Sequence, residues 1–168
     1  MEGECEKAKS YIQAREYLDL VNLVSDAIIF LMLYQNDLKR CQQTVCRIKN
    51  VMESYRMEFL HPNLSAQFHY QTAVVYAVNG QEEEALKALR LFEKCVDRLL
   101  EGEKMVLHGD EYFDRIDAWI EALPLGDMAP RSRKFISQSL QAALSHPAFE
   151  GLKKNTDFQR MILHFDDK

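Results

Sequence analysis

Residues 64–100 read LSAQFHYQTAVVYAVNGQEEEALKALRLFEKCVDRLL, and this stretch decides the fold. Two helical patterns meet at Asn79-Gly80 with almost no linker. In the first, Leu64, Phe68, Thr72, Val75 and Tyr76 fall near one face. In the second, Ala85, Ala88, Leu89, Phe92, Val96 and Leu99 recur at steps of three and four, the spacing of a buried helical stripe. Gly80 is a residue that can take positive φ where the first helix has to stop. Glu82, Glu83 and Glu84 then occupy the first turn of the second helix, where the dipole favours negative charge. The stretch predicts an antiparallel helical hairpin.

Upstream, residues from about Leu18 to Tyr34 are apolar nearly all round. Such a helix is buried on most sides or offers a second face to a partner. Before it, Glu4 to Gln13 predicts a separate helix with a thin apolar face of Ala8, Tyr11 and Ile12. Asn36-Asp37 is the next break, and Asp37 is suited to cap the helix after it. Leu38, Cys41, Val45, Ile48, Met52, Tyr55 and Phe59 predict one helix from Leu38 to about Phe59. Pro62 ends it, and Asn63 is the expected cap of the next helix. Matching Asn36 to Gly80 sets this pair against the central hairpin with an offset of 44 residues.

Downstream, Asp110 is the expected cap of a helix whose apolar face is Tyr112, Ile116, Trp119, Ile120 and Leu123. Pro124 and Gly126 end it, and residues 125–130 form a loop. A further helix runs from about Arg131 to Ser145 and stops at His146-Pro147. A short helical turn comes next at 147–152, and Asp157 is the expected cap of a last helix with Phe158, Met161, Ile162 and Phe165.

Composition narrows the class. The chain has 168 residues, 47% of them apolar and 28% charged, within the range of globular domains. Only 6 Gly and 4 Pro are present, which leaves little room for the turns of an all-β fold. A net charge of −5 argues against binding nucleic acid unaided. Cys5, Cys41, Cys46 and Cys95 form no C-x-x-C pair and have no His at zinc-ligand spacing, so reduced thiols in a cytoplasmic protein are expected. The start, MEGECEK, lacks the apolar core of a signal peptide. The longest apolar run, Ala27 to Tyr34, falls well short of the ~20 residues a bilayer span needs.

No catalytic constellation and no cofactor or metal site is expected. G-x-S-x-G, a phosphate-cradling glycine loop and H-E-x-x-H are all missing. His108, Asp110, Glu111 and Asp114 invite a metal reading, but Asp110 is better used as a cap. Lys39, Arg40, Arg47 and Lys49 form one basic face, and Arg131, Arg133 and Lys134 a smaller cluster. The first is ordinarily a solvated face, with an acidic partner surface as the alternative.

The central hairpin resembles a tetratricopeptide repeat. Tyr76, Ala85 and Leu89 stand at that family's spacing, with Ala73 in place of its Gly and Gly80 at the turn. His69, Thr72 and Asp97 depart from the family's Trp, Leu and Pro. An ordinary helical hairpin in a bundle is the alternative. The pattern implies an all-α fold of about seven helices. Degenerate repeats over 1–100 would stack into a short right-handed array, with 101–168 as a helical cap.

From Asn36 to Phe165 the chain is also similar to the repeat region of bacterial regulators of the Cro/C1 (XRE) helix-turn-helix class. The likeness rests on Leu107 through Trp119-Ile120, on Leu125-Gly126 and Ala129-Pro130, and on Pro147-Ala148-Phe149, Leu152 and Asp157-Phe158. It implies a regulatory domain that binds a peptide, a small effector or a partner protein. DNA would be contacted only through a helix-turn-helix domain lying outside this chain. In repeats of this kind the first helix of each pair lines a groove. Carried over by register, the groove residues are Asp26, Phe30, Leu33 and Tyr34, then Gln67, Tyr70, Val74, Ala77 and Val78. Packing on a neighbouring helix or a second subunit is the alternative for them. The over-apolar helix at 18–34 adds the expectation of a homodimer.

Overall fold

A computed structural model describes residues 2–101, 106–123 and 133–166. Among them every regular element is helical: α1 (Glu2–Leu33), α2 (Leu38–Ser54), α3 (Met57–Leu60), α4 (Pro62–Val78), α5 (Glu82–Leu100), α6 (Asp117–Glu121), α7 (Arg133–Leu144), a 3-10 helix (Pro147–Lys154) and α8 (Thr156–Asp166). The all-α fold stands. None of these helices is long and apolar enough to cross a membrane.

The hairpin of α4 and α5 forms as its sequence predicts. Gly80 takes φ +71°. Its N–H donates to the Ala77 carbonyl at 3.0 Å, and the Gln81 N–H donates to that of Tyr76 at 2.8 Å. Those two bonds close a Schellman turn, satisfying carbonyls the helix end would leave bare.

α4 is the centre of the molecule, with eleven of its 17 residues buried. Leu64, Phe68 and Val75 face a first core built from α1, α2, α3 and residues 107–120. Ala66, Ala73 and Val74 face a second core built from α5, α7, the 3-10 helix and α8. A helix walled in on two sides has to be apolar on two sides, which is why its sequence shows no single stripe.

α1 lies beside α4 in a parallel register of 44 residues. Tyr17 stacks on His61 with ring centroids 6.5 Å apart, and the Asn79 side-chain amide donates to the Gln35 carbonyl at 2.7 Å. The offset read from Asn36 and Gly80 is therefore a spatial one.

Four sequence expectations are corrected. First, residues 4–13 and 18–33 belong to one helix. No breaker separates them, and a single buried stripe of Ala14, Tyr17, Leu20, Val24, Ala27 and Leu31 continues through the junction. Second, the helix begun at Leu38 ends at Ser54. Arg56 adopts a left-handed φ of 50°, and the chain re-enters as α3. The apolar pattern ran on to Phe59 because α3 buries Met57 and Leu60 in the same core.

Third, the cap of α4 is His61, whose Nδ1 accepts the Leu64 N–H at 3.3 Å. Pro62 then occupies the first helical turn, where its missing N–H costs nothing. Likewise α8 is opened by Asn155, which accepts from Asp157 and Phe158, and Asp157 sits inside the first turn. Asp37 does cap α2, accepting the Arg40 N–H at 3.1 Å.

Fourth, Asp110 opens a turn rather than a long helix. Its Oδ1 accepts the N–H groups of Tyr112 and Phe113, both at 3.0 Å, and only Asp117–Glu121 is helical. A Cβ on Gly109 would lie 2.0 Å from the Phe113 carbonyl oxygen, so this fold-back needs glycine. It delivers Phe113, Ile116 and Ile120 to the first core.

Candidate functional site

The groove residues carried over from the repeat family divide by environment. On α1 Asp26 and Leu33 are exposed, as is Tyr34 in the turn just past it, and Phe30 lies with its ring 4.5 Å from that of Tyr34. The Arg40 guanidinium sits 4.7 Å over the Tyr34 ring. On α4, Gln67 and Val78 are open to solvent, Ala77 is half-buried and Val74 is buried in the second core. The Tyr70 hydroxyl donates to the Ala143 carbonyl at 3.0 Å, and its ring packs against Phe92 and Phe149. The C-terminal segment thus covers Tyr70 and Val74. The Asn79–Gln35 bond brings the C-terminal ends of α1 and α4 together, so Leu33, Tyr34 and Val78 crowd one end of the molecule.

His108, Asp110, Glu111 and Asp114 do not converge. His108 shares a hydrogen bond with the Gly109 carbonyl and sets its ring edge on Phe59. Asp114 accepts from Gln13 at 2.8 Å, while Asp110 serves its turn. On the basic face of α2, Arg40 pairs with Asp37 at 3.4 Å. Arg131 and the side chains of Arg133 and Lys134 lie outside the described residues, as do residues 125–130.

A polar constellation that no sequence motif announced lies where α3, α4 and α5 meet. His69 and Cys95 are each only 2% exposed. The His69 Nε2 is 3.0 Å from the Glu58 carboxylate, which is partly open to solvent. Donor atoms of Glu58, His69 and Cys95 all lie within 4.8 Å of one another. A cavity of about 300 Å³ opens beside them, lined by Glu58, Lys94, Cys95, Asp97, Arg98 and Glu101.

The electrostatics come from burial and neighbours. The hydrogen bond from His69 holds the Glu58 carboxyl below its usual range against the opposing desolvation, with His69, Lys94 and Arg98 adding charge attraction. Burial, helped by the nearby Glu58 charge, pushes the Cys95 thiol up to about 12. At neutral pH that sulfur keeps its proton and is a poor nucleophile.

Glu58 and His69 stand 11 positions apart in the chain, and Cys95 lies on a different helix again, so spacing could not flag them. The one legible signal was polarity in the wrong place. Ser65, His69 and Thr72 share one buried side of α4, between the faces given to the two cores. The Ser65 hydroxyl is buried without a hydrogen-bond partner among the described residues, whereas that of Thr72 bonds back to the Phe68 carbonyl.

Comparison with protein families, with curated proteins and with solved structures finds no match to this chain.

Proposed function

We propose that this chain is a helical interaction module that takes a short peptide or partner segment, and that it serves as the regulatory domain of a transcriptional regulator of the Cro/C1 class. One observation carries the interaction reading. α1 and α4 run parallel, 44 residues apart in register, and leave uncovered aromatic and apolar side chains at their shared end. Leu33, Tyr34 and Val78 are 76%, 38% and 44% exposed, and Asp26 and Gln67 supply polar edges. A strip of that composition suits an extended or helical peptide with apolar anchors and a basic group facing Asp26. The link to transcription rests on the sequence resemblance. The effector would act by preferring one packing of the helices over another.

The test is selection from a displayed library of short peptides. Enriched sequences should carry apolar anchors and a basic residue, and Tyr34→Ala and Leu33→Glu should abolish capture without lowering the melting temperature. Recovery of no peptide, or capture indifferent to both substitutions, contradicts the reading. A stand-alone cytoplasmic scaffold is the second reading. The genomic frame upstream of Met1 separates the two. Self-association through exposed Leu18, Ile29 and Met32 of α1 would appear as a dimer mass in light scattering.

A further inference from the structure

Three side chains of different chemistry converge from three helices: a carboxylate from α3, an imidazole from α4 and a thiol from α5, the carboxylate and thiol also lining the cavity. We propose that Glu58, His69 and Cys95 bind a zinc-class divalent cation, with the fourth coordination position facing the cavity. This goes beyond the interaction reading and does not depend on it.

The donor set suits such an ion. Zinc takes sulfur at about 2.3 Å and nitrogen or oxygen at about 2.0–2.2 Å in a tetrahedron. Neighbouring ligand atoms around such an ion are then roughly 3.3–3.7 Å apart. The Glu58–His69 pair already stands at 3.0 Å, and no donor is farther than 4.8 Å from another. Loading would draw the widest of these spans, up to 4.8 Å, in to that range by rotation about side-chain bonds. Thiolate with imidazole selects zinc-class ions over calcium and magnesium, which prefer all-oxygen sites.

Charge balance favours the same assignment. One carboxylate and one thiolate neutralise a divalent ion, so the loaded site carries no net charge into a mostly buried position. Binding forms the metal–sulfur bond as the Cys95 S–H bond breaks, and the proton leaves to solvent. His69 contributes a lone pair as neutral imidazole. Around the open position, Asp97 and Glu101 offset Lys94 and Arg98, and the cavity gives room for a water or a small anion as fourth ligand.

Cobalt titration of the full chain, reduced with a phosphine and freed of metal by a chelator, tests the site. A thiolate-to-cobalt charge-transfer band should grow to saturation at one equivalent and be displaced by zinc. Cys95→Ser should remove the band while helical circular dichroism stays unchanged. A Cys5→Ser, Cys46→Ser double variant, which lacks both exposed thiols, should keep it. Glu58→Gln alters a partly exposed position and should keep the helical circular dichroism while weakening cobalt binding about tenfold or more. Absence of the band in the unmodified chain, or its survival in Cys95→Ser, overturns the proposal.

Discussion

The two cores that share α4 are built by different means. Towards α1, α2 and α3 the filling is largely aliphatic and methionine side chains, closed by a segment with little regular structure. That segment is tied down by polar groups. Gln13 donates to the Tyr112 carbonyl and accepts the Arg115 N–H, both at 3.0 Å. Glu16 accepts from the hydroxyls of Tyr55 and Tyr112, and Arg115 pairs with Glu6. Towards α5 the filling combines small alanines and phenylalanine rings with leucines such as Leu86, Leu89, Leu140, Leu144 and Leu152. Ala66, Ala73, Ala85 and Ala88 place little bulk between α4 and α5, and Phe92, Phe149, Phe158 and Phe165 fill the space beyond. Irregular backbone can close a core only where side chains satisfy its N–H and C=O groups. Helices close the other core mainly with apolar side chains, their own backbone being already paired, and few polar ties such as the Tyr70–Ala143 bond are needed.

Substitutions can break or sharpen this contrast. The largest effect belongs to Phe68, fully buried on the first-core face of α4. Phe68→Ala should cost about 3–5 kcal/mol in denaturant unfolding. Next comes pH. Burial pushes the Tyr17 phenol from 10.0 up to about 12, so the folded state holds this proton more tightly than the unfolded chain. The associated stability is complete below pH 10 and is lost as pH rises from 10 through 12, by about 3 kcal/mol in all. Tyr17→Phe should flatten that alkaline decline while changing neutral stability little, because its 3.5 Å bond to the Leu60 carbonyl is at the limit of a useful contact. Following melting temperature against pH in both forms checks this. The smallest change is Ser65→Ala. Removing a buried hydroxyl that has no partner should leave stability within about 0.5 kcal/mol or raise it; a clear loss would mean the hydroxyl is paired.

Much of the fold is legible in local spacing. The hairpin at Gly80 and the cap at Asp37 can be traced to residues near one another in the chain, and the 44-residue register to matching the two local breaks at Asn36 and Gly80. The errors share a cause, which is that periodicity records burial and not backbone continuity. Tyr55 and Phe59 extended a helical pattern across Arg56, where the backbone turns left-handed. The residues after Asp110 carried helical spacing, yet Phe113 reaches the core from a turn. In the opposite direction, the thin face of residues 4–13 suggested a separate helix, yet it is the start of α1 and is held by a distant segment through Gln13 and Glu6. The groove set was drawn from one helix at a time, and no local signal told that the C-terminal segment covers Tyr70 and Val74. Glu58, His69 and Cys95 meet only through tertiary packing; His69 on a buried face was the sole trace.

Because α4 is walled on both sides, the two cores should behave as one cooperative unit. Native-state hydrogen exchange on Phe68→Ala measures this directly. Amides of α1 and α5 should lose the same protection free energy, although the deleted ring belongs to the first core alone. Loss confined to α1 and α2, with α5 and α8 still protected as in the unmodified chain, would contradict it.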